Sequence, residues 1–545
     1  MSKSFLARMN LVGRDTMSTR HVTPKKVTLI ATPWTFFGDD VEFRSQQLGL
    51  GYIGAYAQKF GHEIVAFIDP MLHGGHMVKV PVATKLQQTN RFGHPDEWIV
   101  GQIPRDTDLI GINAPFTDSR IVLYPMVEAI KRAFPHVPIV VGGILATTLP
   151  EQVLAECPAD IVVRGEGEIA FSRILAGDTL QDIPGVSFRV ADGSIVHSNL
   201  RSEQLKTVDQ IPPPGYDFRP MKEYVKWSPR GDVADLTLSI ISSRGCPFTC
   251  EFCSIPEKGQ LWRPFTPERV LEEIKHAIEH WGVNHFEFED DNFTLQEPRA
   301  LQVLQYLADL RRRGHRFSCS FPNGIMIDKM TEVLAELLVA AGADIIYLPV
   351  ESGDERVLVS MDKPMAEKHL AKTLQVAKWC VEAGLNVSCF FICAYPGGRL
   401  NHRYLKVPIL ERYKKHLLQH EAYPKDTFMM GEDVEAFDNT LQFARQLCEL
   451  GVGGIAPLIA TPYPGTEMYE VCEAFDWLAF EDERQVLTTV SYAALTPGRI
   501  QISTPWCSQE EAFGRWQYMM DMFPTYHNVR KQEVGKLLSG AEIRA

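Results

Sequence analysis

Between residues 26 and 168 five short apolar runs recur: "KVTLIATP", "HEIVAFID", "TDLIGINAP", "VPIVVGGI" and "ADIVVRGEGE". Each stops at Gly, Pro or an acidic residue. Stretches of helical periodicity separate them, such as "LGLGYIGAYAQKFG", which closes on a glycine, and "LYPMVEAIKRAFP". Apolar strands alternating with amphipathic helices bury both faces of a sheet. That pattern predicts a doubly wound parallel α/β domain, a topology that a small flavodoxin-like regulatory domain would share. Ligands on such a sheet lie beyond the C-terminal strand ends. In this chain those ends are "ATPWTFFGDD" (31–40), "NAPFT" (113–117), "GGILATT" (142–148) and "RGEGE" (164–168), whose glycines let backbone approach a bulky ligand.

After a Pro-rich connector, "VDQIPPPGYDFRP" (208–220), the alternation begins again. Six further strands are expected in "LTLSIISSRG", "NHFEFEDDNFT", "RFSCSFPNG", "ADIIYLPVESG", "NVSCFFICAYPGG" and "GIAPLIATPYPG", with helices at 267–281, 297–313, 329–341 and 365–383. This is most of a barrel, a partial (β/α)6 unit with its functional residues at the C-terminal mouth. The expected division is a flexible basic tail at 1–26, the flavodoxin-like domain at 27–198, a linker at 199–235, the barrel at 236–470 and a helical region at 471–545. The last carries Trp477, Trp506, Trp516 and Tyr518 and is expected to pack on the barrel.

A formal charge of −13 argues against a nucleic-acid-binding face, which needs a basic surface. No apolar run reaches spanning length, and the N-terminus lacks the apolar core of a secretory signal, so a cytoplasmic protein is expected. Eleven cysteines, an odd number, fit reduced thiols. Only three of them cluster: "SSRGCPFTCEFCSIP" holds Cys246, Cys250 and Cys253 at the end of the first barrel strand. Structural zinc wants four closed ligands, and no second pair is in sight. A [4Fe–4S] cluster held by three thiolates instead keeps one iron open for a substrate or cofactor.

The spacing C-x3-C-x-aromatic-C, supplied by Cys246, Cys250, Phe252 and Cys253, resembles the radical S-adenosylmethionine (SAM) superfamily. That resemblance implies a cluster whose open iron is chelated by SAM, and reductive cleavage to a 5′-deoxyadenosyl radical. It also implies roles for three carboxylates: Asp290 and Asp291 of "EDDN" as acceptors for the SAM amino group, and Glu351 of "VESG" for the ribose hydroxyls. "TPYPGTEMY" (461–469) looks like the family's adenine-contacting turn. The usual Gly-Gly-Glu is absent after the second barrel strand.

A flavodoxin-like domain ahead of such a barrel is similar to the cobalamin-binding architecture of class B radical SAM methyltransferases. By that likeness the corrin contacts fall on loops 33–38, 114–117, 142–148 and 164–168, with Trp34, Thr117, Gly142, Gly143, Thr147, Gly165 and Glu166 as the named positions. The D-x-H-x-x-G signature of an axial histidine is missing: Asp69 and His73 stand four apart and His76 has no partner. This implies a cobalt without imidazole. Leu145 stands where relatives often carry histidine.

The implied reaction is C-methylation of an unactivated carbon in a small biosynthetic intermediate, through the 5′-deoxyadenosyl radical and methylcobalamin. An electron donor such as flavodoxin or ferredoxin is implied with it. Two other readings stay open: a cobalamin-dependent oxidative cyclase or ring-rearranging enzyme, and a corrinoid sensor or carrier with a degenerate barrel. From Arg399 to Lys425 seven Lys and Arg face two Glu. That segment reads either as a solvated helical excursion or as a lid offering cations to an anionic substrate.

Overall fold

The computed structural model describes residues 23–37, 46–72, 77–80, 89–190, 192–198, 203–226, 236–255, 261–400, 411–479 and 500–525. The N-terminal half contributes β1 (Lys26–Ala31), β2 (Trp34–Phe37), β3 (Glu63–Ile68), β4 (Met77–Val80), β5 (Thr89–Phe92), β6 (Leu109–Asn113), β7 (Ile139–Gly142), β8 (Ile161–Val163), β9 (Val186–Arg189) and β10 (Ile195–His197). Seven of these form one sheet in the order β10-β9-β8-β7-β6-β1-β3. The five expected strands are its parallel part. Their order is that of a flavodoxin-like sheet, with the topological switch between β1 and β6. The antiparallel edge β9–β10 is an addition the apolar runs did not announce. β2, β5 and β4 make a separate antiparallel sheet.

The second half supplies β11 (Thr237–Ile240), β12 (Ser243–Arg244), β13 (Arg263–Pro264), β14 (His285–Phe288), β15 (Ser318–Phe321), β16 (Ala343–Glu351), β17 (Asn386–Cys393), β18 (Gly397–Arg399), β19 (Leu417–Leu418), β20 (Phe428–Met430) and β21 (Gly454–Ile459). The six expected barrel strands pair in parallel in the order β11-β14-β15-β16-β17-β21. Alternation divides each strand. Phe286 and Phe288 of β14 enter the core beneath the helices, while His285 bonds Ser318 and Ser320 of β15 on the other face.

The helices follow from local chemistry. Pro267–Trp281 opens with Pro at the first turn, buries Val270, Ile274 and Ala277 at helical spacing, and ends on Gly282 at φ 68°. Burying each larger apolar side chain stabilises by about 1.5–3 kcal/mol. The helix Gln509–Met522 begins in a capping box of Ser508 and Glu511. This helix lies on the barrel, with Met519 in the main core and Trp516 Nε1 donating to Pro457 O at 3.2 Å.

The connector is not a loose tether. Val208, Ile211, Tyr216, Met221 and Tyr224 are buried in the barrel's own core. A Cβ on Gly51 would lie 2.6 Å from Pro214 O, and one on Gly54 2.5 Å from Phe218 Cζ, so these helix glycines admit the connector. Gln46 joins the halves: its side chain donates to Thr237 O (2.8 Å) and accepts from Ser239 N (3.0 Å), covering the open edge of β11. Between Arg399 and Lys425 the described part is sheet as well as helix, since β18, β20 and β19 form a small antiparallel sheet. Among the described residues no helix is long and apolar enough to cross a membrane.

Candidate active site between the two sheets

The C-terminal strand ends of both sheets face one open cleft. One wall is built from β6, β7, β8 and the helix Leu48–Lys59. It presents Gly49, Gly142, Gly143, Gly165 and Thr147, over an apolar floor of Leu29, Val140 and Phe171. Gly142 and Gly49 leave this wall bare toward the cleft. A Cβ on Gly142 would find only Val163 O, at 3.9 Å, and one on Gly49 nothing within 4 Å. Gly143 differs. At φ 101° its Cβ would sit 2.4 Å from Ala114 O, so this turn needs glycine for its own geometry. Thr147 Oγ1 donates to Gly143 O (2.8 Å) and accepts from Gly165 N (2.9 Å), tying the two glycine turns together. A broad wall stripped of side chains over an apolar floor fits a large flat ring such as a corrin.

No histidine lines the cleft among the described residues. Asp69 is buried and engaged by Tyr224 Oη (2.5 Å) and Met71 N (2.9 Å). His73 and His76 lie outside the described residues.

The opposite wall is the mouth of the barrel: Ser243, Arg244, Gly245, Ile255, Glu289 and Asp291. The three cysteines sit half-buried in the loop between β12 and β13. Burial pushes the Cys246 thiol up, and that of Cys250 up to about 12 despite the opposing charge of Lys363. Such thiols ionise when a metal supplies compensating charge, so they suit iron ligation. Among the described residues no three Cys, His, Asp or Glu side chains close on a point as ligands of a single ion do.

A turn after β16 clasps this loop residue by residue. Met361 O accepts Glu251 N at 3.0 Å, and Asp362, at φ 50°, accepts Thr249 Oγ1. Lys363 Nζ lies 2.8 Å from Glu351 Oε1 and 5.9 Å from the Phe252 ring. Burial disfavours the ammonium, but Glu351 and Cys250 more than restore it, and its pKa is raised. From other sides Glu251 Oε2 accepts Arg399 N (3.0 Å), and Glu251 O accepts Met468 N (3.1 Å). The 461–469 turn also reaches the glycine wall: a Cβ on Gly465 would meet Thr148 Cγ2 at 2.9 Å.

The residues expected from sequence divide accordingly. Gly142, Gly143, Thr147, Gly165, Glu166 and Asp291 line the cleft together. Asp291 opens into it, and the surrounding walls with neighbouring Asp290 raise its carboxyl to about 6. Cys246, Cys250, Cys253, Phe252 and Glu351 gather behind it around Lys363. Three do not join the lining. Asp290 points back into the barrel, where Ser242 N (3.0 Å), Ser242 Oγ (2.8 Å) and Ser243 Oγ saturate it. Trp34 is carried off by the β2–β5 pairing and packs on Phe116, with ring centroids 5.1 Å apart. Thr117 is buried in the short turn Thr117–Ser119. Missed by sequence reading were the helix positions Gly49, Leu50, Tyr52 and Ile53, together with Lys363 and Arg244.

Two family models match the chain: a B12 binding domain over residues 35–175 and the radical SAM superfamily over 240–403. This chain is a B12-binding radical SAM protein. It takes the cofactors of that family: a [4Fe–4S] cluster, SAM and cobalamin. It is similar to an uncharacterized methyltransferase of Pyrococcus horikoshii, 29% identical over 389 residues, covering 70% of this chain and 73% of the relative. It is also similar to the cytidylyl-2-hydroxyethylphosphonate methyltransferase of Streptomyces wedmorensis, 26% identical over 401 residues, covering 68% and 73%. Among solved structures, the radical SAM methyltransferase TsrM of Kitasatospora setae, with cobalamin and a [4Fe–4S] cluster bound, superposes with a TM-score of 0.59 at 16% identity, covering 83% of this chain and 78% of that one. That likeness is one of fold.

Proposed function

We propose that the chain is a cobalamin-dependent radical SAM C-methyltransferase that methylates an unactivated carbon of a small biosynthetic intermediate. The single observation that carries this reading is the shared cleft, with the bare glycine wall on one side and the cysteine loop's barrel mouth on the other. Bound there, the cluster and SAM would supply a 5′-deoxyadenosyl radical, and cobalamin a methyl group, to a carbon that has no lone pair of its own. In this reading the chain's residues position and shield. Gly142 and Gly49 set the shape of the corrin wall. Asp291 is the carboxylate that faces the cleft to accept the SAM amino group. Glu351, fixed by Lys363, is held for the ribose. A one-electron donor such as flavodoxin or ferredoxin is required.

An anionic substrate is supported by the phosphonate substrate of the Streptomyces relative. The basic segment adds less than its charge suggests. Arg412 pairs with Glu355 at 2.5 Å and Arg399 with Asp426 at 3.6 Å, while Arg403 and Lys406 lie outside the described residues.

The test is anaerobic turnover with methyl-labelled SAM, reductant and extracts holding candidate intermediates. Methyl transfer puts the label into a product whose mass rises by one methyl group. Deoxyadenosine formed beside an unlabelled product would instead mark a cyclase-type reaction.

A further inference from the structure

The cysteine loop leaves and rejoins the barrel through a very short neck. β12 and β13 pair at only two positions, Ser243↔Pro264 and Arg244↔Arg263, with 245–255 and 261–262 the described residues between them. Two arginines therefore stand directly opposite one another in an antiparallel pair, their Cβ atoms about 5 Å apart, an arrangement that by itself drives the strands apart. Just inside the neck the packing is tight: a Cβ on Gly245, at φ 82°, would lie 3.0 Å from Leu261 O. Cys246 follows directly, so any opening at the neck moves the first thiol.

What neutralises the neck comes from the other half of the chain. Glu166 grips Arg263 with both oxygens, Nη1 to Oε2 at 3.0 Å and Nη2 to Oε1, and its Oε2 lies 3.9 Å from Arg244 Nη1. Glu168, in the first turn of the helix Glu168–Leu175, accepts from Arg244 Nη1 at 2.7 Å. The Arg244 guanidinium also lies 4.7 Å over the Tyr52 ring of the helix Leu48–Lys59. The side chains of Arg263 and Glu168 are 3% and 6% exposed, so solvent screens these charges little. Two buried guanidiniums thus meet two carboxylates. Without the carboxylates the same neck holds two unpaired cations.

We propose that the neck of the cysteine loop closes only against Glu166 and Glu168, which makes the "RGEGE" turn of the N-terminal sheet an assembly element for the iron–sulfur site. The N-terminal half then serves the barrel before any cofactor meets a substrate. This rests on the three cysteines as cluster ligands and is independent of what the cleft does with a corrin.

The experiment uses the full-length Glu166→Gln/Glu168→Gln variant, which keeps side-chain size and one acceptor oxygen at each position while removing both negative charges. Amide hydrogen exchange of the metal-free chain at 243–255 and 261–264 is compared with wild type, and iron per chain is counted after anaerobic reconstitution and gel filtration. Protection should fall at least about tenfold and retained iron below about half, because two buried cations are left facing each other. Adding Arg263→Gln should return both toward wild type, a rescue that a merely structural role of the glutamates would not give. Wild-type protection and iron in the Gln/Gln variant overturn the proposal, as does a folded triple variant that fails to recover. Should the Gln/Gln chain not fold, the milder pair Glu166→Gln and Glu166→Gln/Arg263→Gln takes the same two readouts, and loss followed by recovery again supports the neck while unchanged values overturn it. Hydroxocobalamin absorbance on wild type separates the two readings. A chain that passes this test yet takes no corrin leaves the neck assignment standing and removes the methyltransferase.

Discussion

The two walls of the cleft are made in opposite ways. The N-terminal wall works by omission: glycines at 49, 142 and 165 withhold side chains, and Thr147 fixes the turns that result. The barrel wall works by chemistry, with thiols, carboxylates and guanidiniums held by partners from several elements. A wall built for shape should keep its corrin through changes of charge nearby but not through added volume. A wall built for chemistry should keep its shape when a functional atom is removed, and lose its reaction.

The largest expected effect is on the barrel side. Cys250→Ala removes one ligand without disturbing a core strand. Bound iron should fall from about four per chain toward none, with deoxyadenosine formation abolished. The thermal unfolding of the metal-free chain should be unchanged. Full iron and full cleavage in the variant would break the assignment of the loop.

A smaller effect is expected from a buried charge of the barrel that lies away from the cleft. Glu432 is fully buried, accepts from Ala394 N (2.8 Å) and pairs with Arg515 at 3.2 Å. Burial outweighs the arginine and raises its carboxyl from 4.5 to about 6. The folded chain therefore binds this proton more tightly than the unfolded one. The stability so gained is full below pH 4.5 and is lost as pH rises through 6, a change of roughly 2 kcal/mol. Urea unfolding of the metal-free chain across that window should show this slope in wild type and not in Glu432→Gln, with hydroxocobalamin binding alike in both. Equal slopes would contradict a Glu432 carboxyl raised by burial.

How much of this was legible in sequence depended on how local each signal is. All the parallel strands of both sheets were visible, as short apolar runs in the N-terminal sheet and as apolar or alternating runs between helical stretches in the barrel. The cysteine triplet was visible because its spacing lies within eight residues. Asp290 and Asp291 could not be told apart: neighbours at a strand end point opposite ways, and only the Ser242–Ser243 contacts decide which turns inward. Trp34 stands outside the cleft's lining, and nothing local announces the β2–β5 pairing that engages it. Gly49 and Gly51 did leave a signal, since glycines in the first turn of a helix cost about 1 kcal/mol each over alanine and invite a reason. Lys363 and the paired arginines left none. Lys363 meets Glu351 and the cysteine loop only in the folded barrel, and the cross-strand partners Arg244 and Arg263 are brought together across the loop.

The measurement closest to the central claim is a hydroxocobalamin titration of wild type against Gly142→Val. Gly142 has ordinary extended backbone at the end of β7, and the new side chain has open cleft before it, so the fold should melt as wild type does. If the bare wall is the corrin seat, affinity should drop at least about tenfold, or about 1.4 kcal/mol, while iron content stays whole. Wild-type affinity in a folded Gly142→Val chain would place the corrin elsewhere and contradict the account.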